Sequence, residues 1–147
     1  MLKYYTKGKN RICFVKGRYI MVEKIQVITE NAPTPAGPYS QGIIADKFVF
    51  VAGQRPADPK TGAIVEGGIE AQTRQVIENL ASVLEASGSS LDRVVRSTVY
   101  LSDIGNCAAM NSVYEKMFPK PYPSRTTIGC QLRGILVEID VIALRNE

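Results

Sequence analysis

IEAQTRQVIENLASVLEASGSSLDRVVRSTVYL, residues 69–101, carries two different hydrophobic periods in one run and decides the fold class. Its first part sets Ile69, Val76, Ile77, Leu80, Val83 and Leu84 at helical spacing, which predicts a helix from Ile69 to Ser87 stopped by Gly88. From Arg93 to Leu101 the period falls to two. Val95, Ser97, Val99 and Leu101 take one face of a strand, and Val94, Arg96, Thr98 and Tyr100 the other. Towards the C-terminus, Ser102 or Asp103 is a candidate N-cap for a second helix over about residues 104–118, with Met110, Val113, Tyr114 and Met117 as its core stripe. Ser124–Gln131 and Ile135–Leu144 then read as a hairpin turning at Leu132-Arg133-Gly134. In its second arm Val137, Ile139, Val141 and Ala143 share a face, while Glu138 and Asp140 fall on the other and need water or partners.

Towards the N-terminus, residues 24–28 alternate as a short strand, and Asn31–Pro38 holds three prolines and a glycine, a loop. Gly42–Lys47 and Phe48–Gly53 form a hairpin turning near Asp46-Lys47, followed by a second loop, Arg55–Gly62. The order is that of a single α+β domain, a mixed sheet with two helices packed on one face. The other face then needs cover, which self-association supplies.

The chain of 147 residues is 45% apolar and 22% charged, an ordinary globular balance. No stretch reaches the roughly 18–20 apolar residues of a membrane-spanning helix. There is no histidine. Serine–histidine and cysteine–histidine nucleophile pairs, HExxH zinc sites and the imidazole proton shuttle are therefore excluded. Cys13, Cys107 and Cys130 are widely spaced and lack a CxxC, so neither a zinc site nor a disulfide framework is expected, and the compartment reads as reducing and cytoplasmic. No metal or cofactor is expected. The net charge of +4 is uneven: residues 1–22 hold six basic groups and no acid, so the remaining residues carry 12 basic and 14 acidic groups, a net of −2. Nucleic acid is therefore not the favoured partner of residues 21–147. Residues 1–20 have too short an apolar run for a secretory signal and are read as a basic extension outside the core.

Three patches remain: Gly37-Pro38-Tyr39-Ser40-Gln41-Gly42; Val51-Ala52-Gly53-Gln54-Arg55-Pro56; and Pro121-Tyr122-Pro123-Ser124-Arg125-Thr126-Thr127. Alone, each has a structural explanation: Tyr39 capping a core edge, Gly53 a bulge, Arg125 a surface ion pair. Together with Asp58-Pro59-Lys60-Thr61-Gly62, Asn111-Ser112-Val113-Tyr114 and Val137-Glu138-Ile139, they keep order and spacing over most of Met21–Glu147. In this the chain resembles the RidA/YjgF/L-PSP family of reactive-intermediate (enamine/imine) deaminases. It departs from the family's pattern in a shorter connection at Gln131–Ile135 and in Ala52, where some relatives have serine.

The resemblance implies a chorismate-mutase-like fold, a homotrimer with clefts between subunits, and hydrolysis of 2-iminobutanoate or 2-iminopropanoate to the 2-oxo acid and ammonia. It also implies roles: Arg125 holding the substrate carboxylate, Glu138 positioning the attacking water, the Gly53 backbone on the imine nitrogen, and Tyr39, Asn111 and Thr127 lining the cleft. The residue types suit that chemistry. A guanidinium meets a planar carboxylate with two parallel, charge-assisted hydrogen bonds. An imine carbon is already electrophilic, so positioning and one carboxylate acting on water suffice. In the expected hairpin, Arg125 faces roughly residue 140 and Glu138 is its diagonal neighbour. Two alternatives stand beside this reading: an RNA-directed endoribonuclease or translation inhibitor, supported by the basic arm, and a non-catalytic trimer that binds carboxylates and regulates a partner.

Overall fold

A computed structural model describes residues 3–7, 10–15, 18–21 and 23–146, the first three groups only as backbone strands. These strands, β1 (Lys3–Lys7), β2 (Asn10–Val15) and β3 (Arg18–Met21), pair antiparallel with one another. The reading of residues 1–20 as an extension, and that of Cys13, fall on side chains outside the described residues.

The remainder is one six-stranded sheet in the order β4-β5-β6-β9-β7-β8. Its members are β4 (Lys24–Val27), β5 (Gly42–Ala45), β6 (Phe48–Gln54), β7 (Val94–Leu101), β8 (Ser124–Gly129) and β9 (Val137–Leu144). All neighbours run antiparallel except β7 and β8, so the sheet is mixed as expected. The β5–β6 turn falls at Asp46-Lys47, with Asp46 at φ 55°, a conformation Asp tolerates better than most residues.

Helix α1 (Gly68–Ala86) presents Val76, Ile77, Leu80, Val83 and Leu84 to the sheet, all fully buried against Val49, Val99, Ile139 and Val141. Each such side chain contributes on the order of 1.5–3 kcal/mol relative to exposure. The helix ends as its sequence indicated. Gly88 takes φ 73°, which lets its N–H reach Glu85 O (3.0 Å) and the Ser89 N–H reach Leu84 O (2.8 Å). Asp103 caps a short 3-10 turn, Ile104–Asn106, through its side chain, and helix α2 (Cys107–Met117) follows. Met110 and Tyr114 of α2 join the same core, so both helices cover one sheet face. No helix among the described residues is long and apolar enough to cross a membrane.

Two expectations are corrected. Val94, and not Val95, faces the core, because a bulge between Val94 and Arg96 shifts the alternation; Val95 is left 42% exposed. The second is larger. Ser124–Gln131 and Ile135–Leu144 do not form a hairpin: β8 runs parallel to β7 at the sheet edge, and β9 lies on the far side of β7. Composition explains the placement. Val137, Ile139, Val141 and Ala143 are all buried and suit an interior strand, whereas Ser124-Arg125-Thr126-Thr127 suits an edge. The chain crosses the end of β7 through Cys130 N–H to Leu101 O (2.9 Å) and Ser102 N–H to Leu136 O (3.0 Å). Gln72 of α1 accepts the Leu136 N–H (2.8 Å) where β9 begins.

On the face away from the helices, Ile43, Phe50 and Ile142 align across β5, β6 and β9, and Phe50 stays 43% exposed. This is the uncovered apolar surface that the layer arithmetic expects.

Candidate functional site

Arg125 is the second residue of β8, two places after the Pro121-Tyr122-Pro123 bracket, and pairs in register with Ser97. Ser97 is fully buried and shares a 2.7 Å hydrogen bond with the Tyr114 hydroxyl, which pins the α2 ring beneath the edge strand. The Arg125 guanidinium carbon stands 4.7 Å from the centre of that ring, a cation–π contact that orients it while leaving its donors open. Burial pushes the Tyr114 phenol above its ordinary pKa, against the opposing Ser97 hydrogen bond and Arg125 charge, so it stays neutral. Around this guanidinium lies a hollow of about 450 Å³ lined by Asn111, Tyr114, Glu115, Tyr122 and Pro123.

A second hollow, of about 350 Å³, is lined by Tyr39, Ala52, Gly53, Arg55 and Glu138. Between Val51 and Gln54 the β6–β9 register slips, so Ala52 and Gly53 bulge out of step with β9. The bulge brings the Gly53 backbone against Glu138. A Cβ added at Gly53 would overlap the carboxylate, lying 3.0 Å from Cδ and closer still to Oε1. Half-burial raises the Glu138 pKa above the ordinary value; the Arg55 charge opposes that rise and the Asp140 charge adds to it. Asp140 in turn accepts a hydrogen bond from the Tyr100 hydroxyl (3.0 Å).

Tyr39 reaches this hollow from the proline-rich loop, where its hydroxyl accepts the Ala36 N–H (3.1 Å). The loop is held by one buried amide. Gln41 Nε2 donates to the carbonyls of Thr29, Ala32 and Pro33 at 3.0, 3.0 and 3.1 Å, and its Oε1 accepts the Thr29 N–H at 2.8 Å. Two hydrogens serve three acceptors, so at least one bond is shared.

The expected residues thus fall into two groups. Arg125 and Asn111 share the first hollow; Tyr39, Gly53 and Glu138 share the second. Thr127 is paired with Val99 and lines neither. Arg125 and Glu138 are not diagonal neighbours, because β7 lies between their strands. Arg125 sits on the helix-covered side, level with Ser97, and Glu138 on the opposite side, level with Tyr100. Sequence reasoning missed Arg55 as a lining residue and took Tyr114 for core alone. The signal for Arg55 was its place directly after Gly53-Gln54, at the mouth of the same bulge.

A half-buried carboxylate stands against a glycine bulge in one hollow, and a guanidinium is set in a separate hollow of the same α+β chain. Comparison with known proteins gives the family. The model described as Endoribonuclease L-PSP matches residues 29–145, and the chain belongs to this RidA/YjgF/L-PSP family. A RutC family protein of Pyrococcus horikoshii is 50% identical over 122 residues, 82% of this chain and 97% of that one. The goat 2-iminobutanoate/2-iminopropanoate deaminase is 35% identical over 122 residues, 82% of this chain and 89% of that protein. Among solved structures, RidA from an Antarctic Psychrobacter superposes with TM-score 0.79 at 34% identity, covering 82% of this chain and 98% of that one. Escherichia coli TdcF with bound serine gives 0.74 at 30%, covering 83% and 99%. The fold is the chorismate-mutase-like one that the motifs implied.

Proposed function

We propose that this protein is a cytoplasmic imine and enamine deaminase that hydrolyses 2-iminobutanoate and 2-iminopropanoate, and that its site forms where the Arg125 hollow of one copy meets the Glu138 hollow of another in a homotrimer. The observation that carries this is the division of the candidate residues between two sides of one sheet. Neither hollow holds both Arg125 and Glu138, the pair to which this reading gives the carboxylate and the water, and a heterologous interface repeated around a ring joins unlike halves. The exposed Phe50 row supplies apolar surface for such an interface. The goat relative's name and the serine bound to the Escherichia coli neighbour support a small amino-acid-like substrate.

In this reading Arg125 takes the substrate carboxylate through paired N–H donors, with Asn111 beside it and Tyr122 as the wall. The Gly53 backbone fixes the imine nitrogen, and Tyr39 bounds the cleft. Glu138 takes a proton from water as the water oxygen bonds to the imine carbon. The imine nitrogen, protonated before attack, becomes the amine of a neutral carbinolamine, and Glu138 then passes its proton to that amine. The C–N bond breaks as the hydroxyl oxygen forms C=O, and the hydroxyl proton returns through Glu138 to ammonia, so iminium and water give 2-oxo acid and ammonium. Burial suits Glu138 to the task, because a carboxylate with a raised pKa is a stronger base than an exposed one.

The test generates 2-iminobutanoate in situ with a threonine dehydratase and follows its disappearance. Arg125→Ala is expected to lose acceleration over the spontaneous rate; an unchanged rate rejects the assignment. Glu138→Gln is expected to bind small carboxylates and fail in turnover.

A further inference from the structure

The second hollow holds a cation for which imine hydrolysis, as proposed above, has no use. Arg55 lines the hollow together with Glu138, Gly53 and Tyr39, half-buried and one residue beyond the end of β6. Its main chain is firmly held. Asn79 of α1, 1% exposed, donates through Nδ2 to Arg55 O (3.0 Å) and to Ala57 O (2.9 Å), and Gln75 Nε2 donates to Asn79 Oδ1 (3.0 Å). Pro56 and Ala57 are buried, so the chain after Arg55 is anchored in the core. The guanidinium itself is not consumed. Among the described residues no carboxylate oxygen lies within 4.0 Å of it, and Glu138 feels it only as a nearby charge. A fixed backbone, a partly desolvated site and open donors are the conditions under which arginine selects a planar anion.

We infer that Arg55 is a specificity-determining residue that binds a second acidic group of the substrate, so that the enzyme acts on 2-imino acids derived from dicarboxylic amino acids as well as on neutral ones. The inference rests on the deaminase reading: Arg125 takes the carboxylate next to the imine carbon, and Glu138 is reserved for water. A second carboxylate one or two carbons further along is left facing the hollow that holds Arg55. There the Arg55 donors, which no carboxylate of the described residues occupies, are free to pair with it.

The experiment compares kcat/KM for two imines in the wild type, Arg55→Gln and Arg55→Lys. 2-Iminopropanoate is produced by a D-amino-acid oxidase from D-alanine, and 2-iminosuccinate by a D-aspartate oxidase from D-aspartate, with residual imine trapped by semicarbazide. The wild type is expected to hydrolyse both. In Arg55→Gln the ratio of acidic to neutral kcat/KM is expected to fall about tenfold or more, mainly through KM, the scale of one lost charge-assisted hydrogen bond. Arg55→Lys is expected to recover part of the ratio, since charge returns without the fork. An unchanged ratio in Arg55→Gln, with both substrates slowed equally and the pH profile displaced, assigns Arg55 to tuning Glu138 and overturns the inference while leaving the deaminase reading standing. No turnover of 2-iminopropanoate by the wild type rejects the deaminase reading and this inference with it.

Discussion

Two inactive variants are expected to restore each other. Arg125→Ala keeps Glu138, Glu138→Gln keeps Arg125, and the structure sets the two residues on opposite sides of the sheet, in different hollows. If each site takes its guanidinium from one copy and its carboxylate from the next, a site is complete only where an Arg125-bearing chain is followed by a Glu138-bearing one. In an equal, random mixture each condition holds half the time, so roughly a quarter of the sites are intact, whatever the number of copies in a closed heterologous ring. Co-expression with two different tags, tandem purification of mixed assemblies and the 2-iminobutanoate assay give the number directly. Selection for both tags removes the homogeneous assemblies and moves the yield above a quarter. Activity no greater than the sum of the separate variants shows that both groups serve a site within one chain, or that one of them serves none, and refutes the shared-site reasoning.

Gly53→Ala tests the bulge. Gly53 does not need a left-handed backbone, and the atoms nearest the added methyl all belong to the Glu138 side chain; displacing its carboxylate by about an ångström is expected to lower kcat about 100-fold, while the urea midpoint barely moves. The acid limb of the kcat/KM profile is expected above the ordinary glutamate range, because burial holds Glu138 protonated to higher pH. Asp140→Asn removes a charge that raises that pKa and moves the limb to lower pH; a limb that does not move separates Glu138 from the rate. Tyr114→Phe strands the buried Ser97 hydroxyl and is expected to cost about 1–3 kcal/mol in urea unfolding, with part of the loss recovered when Ser97→Ala is added.

Much of the fold was legible because its signals are local. The period of residues 69–87, the Gly88 stop and the alternation of β9 depend on neighbours along the chain. The final pairing was not legible. A short turn between two apolar runs looks like a hairpin, and nothing nearby states that β9 is too apolar for the place beside an edge strand and that β7 takes it instead. The Val95 error has the same origin, since one bulge inverts a two-residue period. For the site, residue types pointed to Arg125, Glu138, Gly53, Tyr39 and Asn111, and the structure groups them in two hollows. Their relative placement depended on strand order and was misread with it. Arg55 escaped notice because an arginine before a proline in a loop has no periodicity to betray which way it turns.

The Gln41 amide has a consequence for how a molecule enters. Because one buried side chain ties the carbonyls of Thr29, Ala32 and Pro33, the start of the proline-rich loop is anchored to the strand before it, and those bonds share a single amide. In the deaminase reading proposed above, the stretch that leads to Tyr39 is thus expected to behave as a frame rather than a flap.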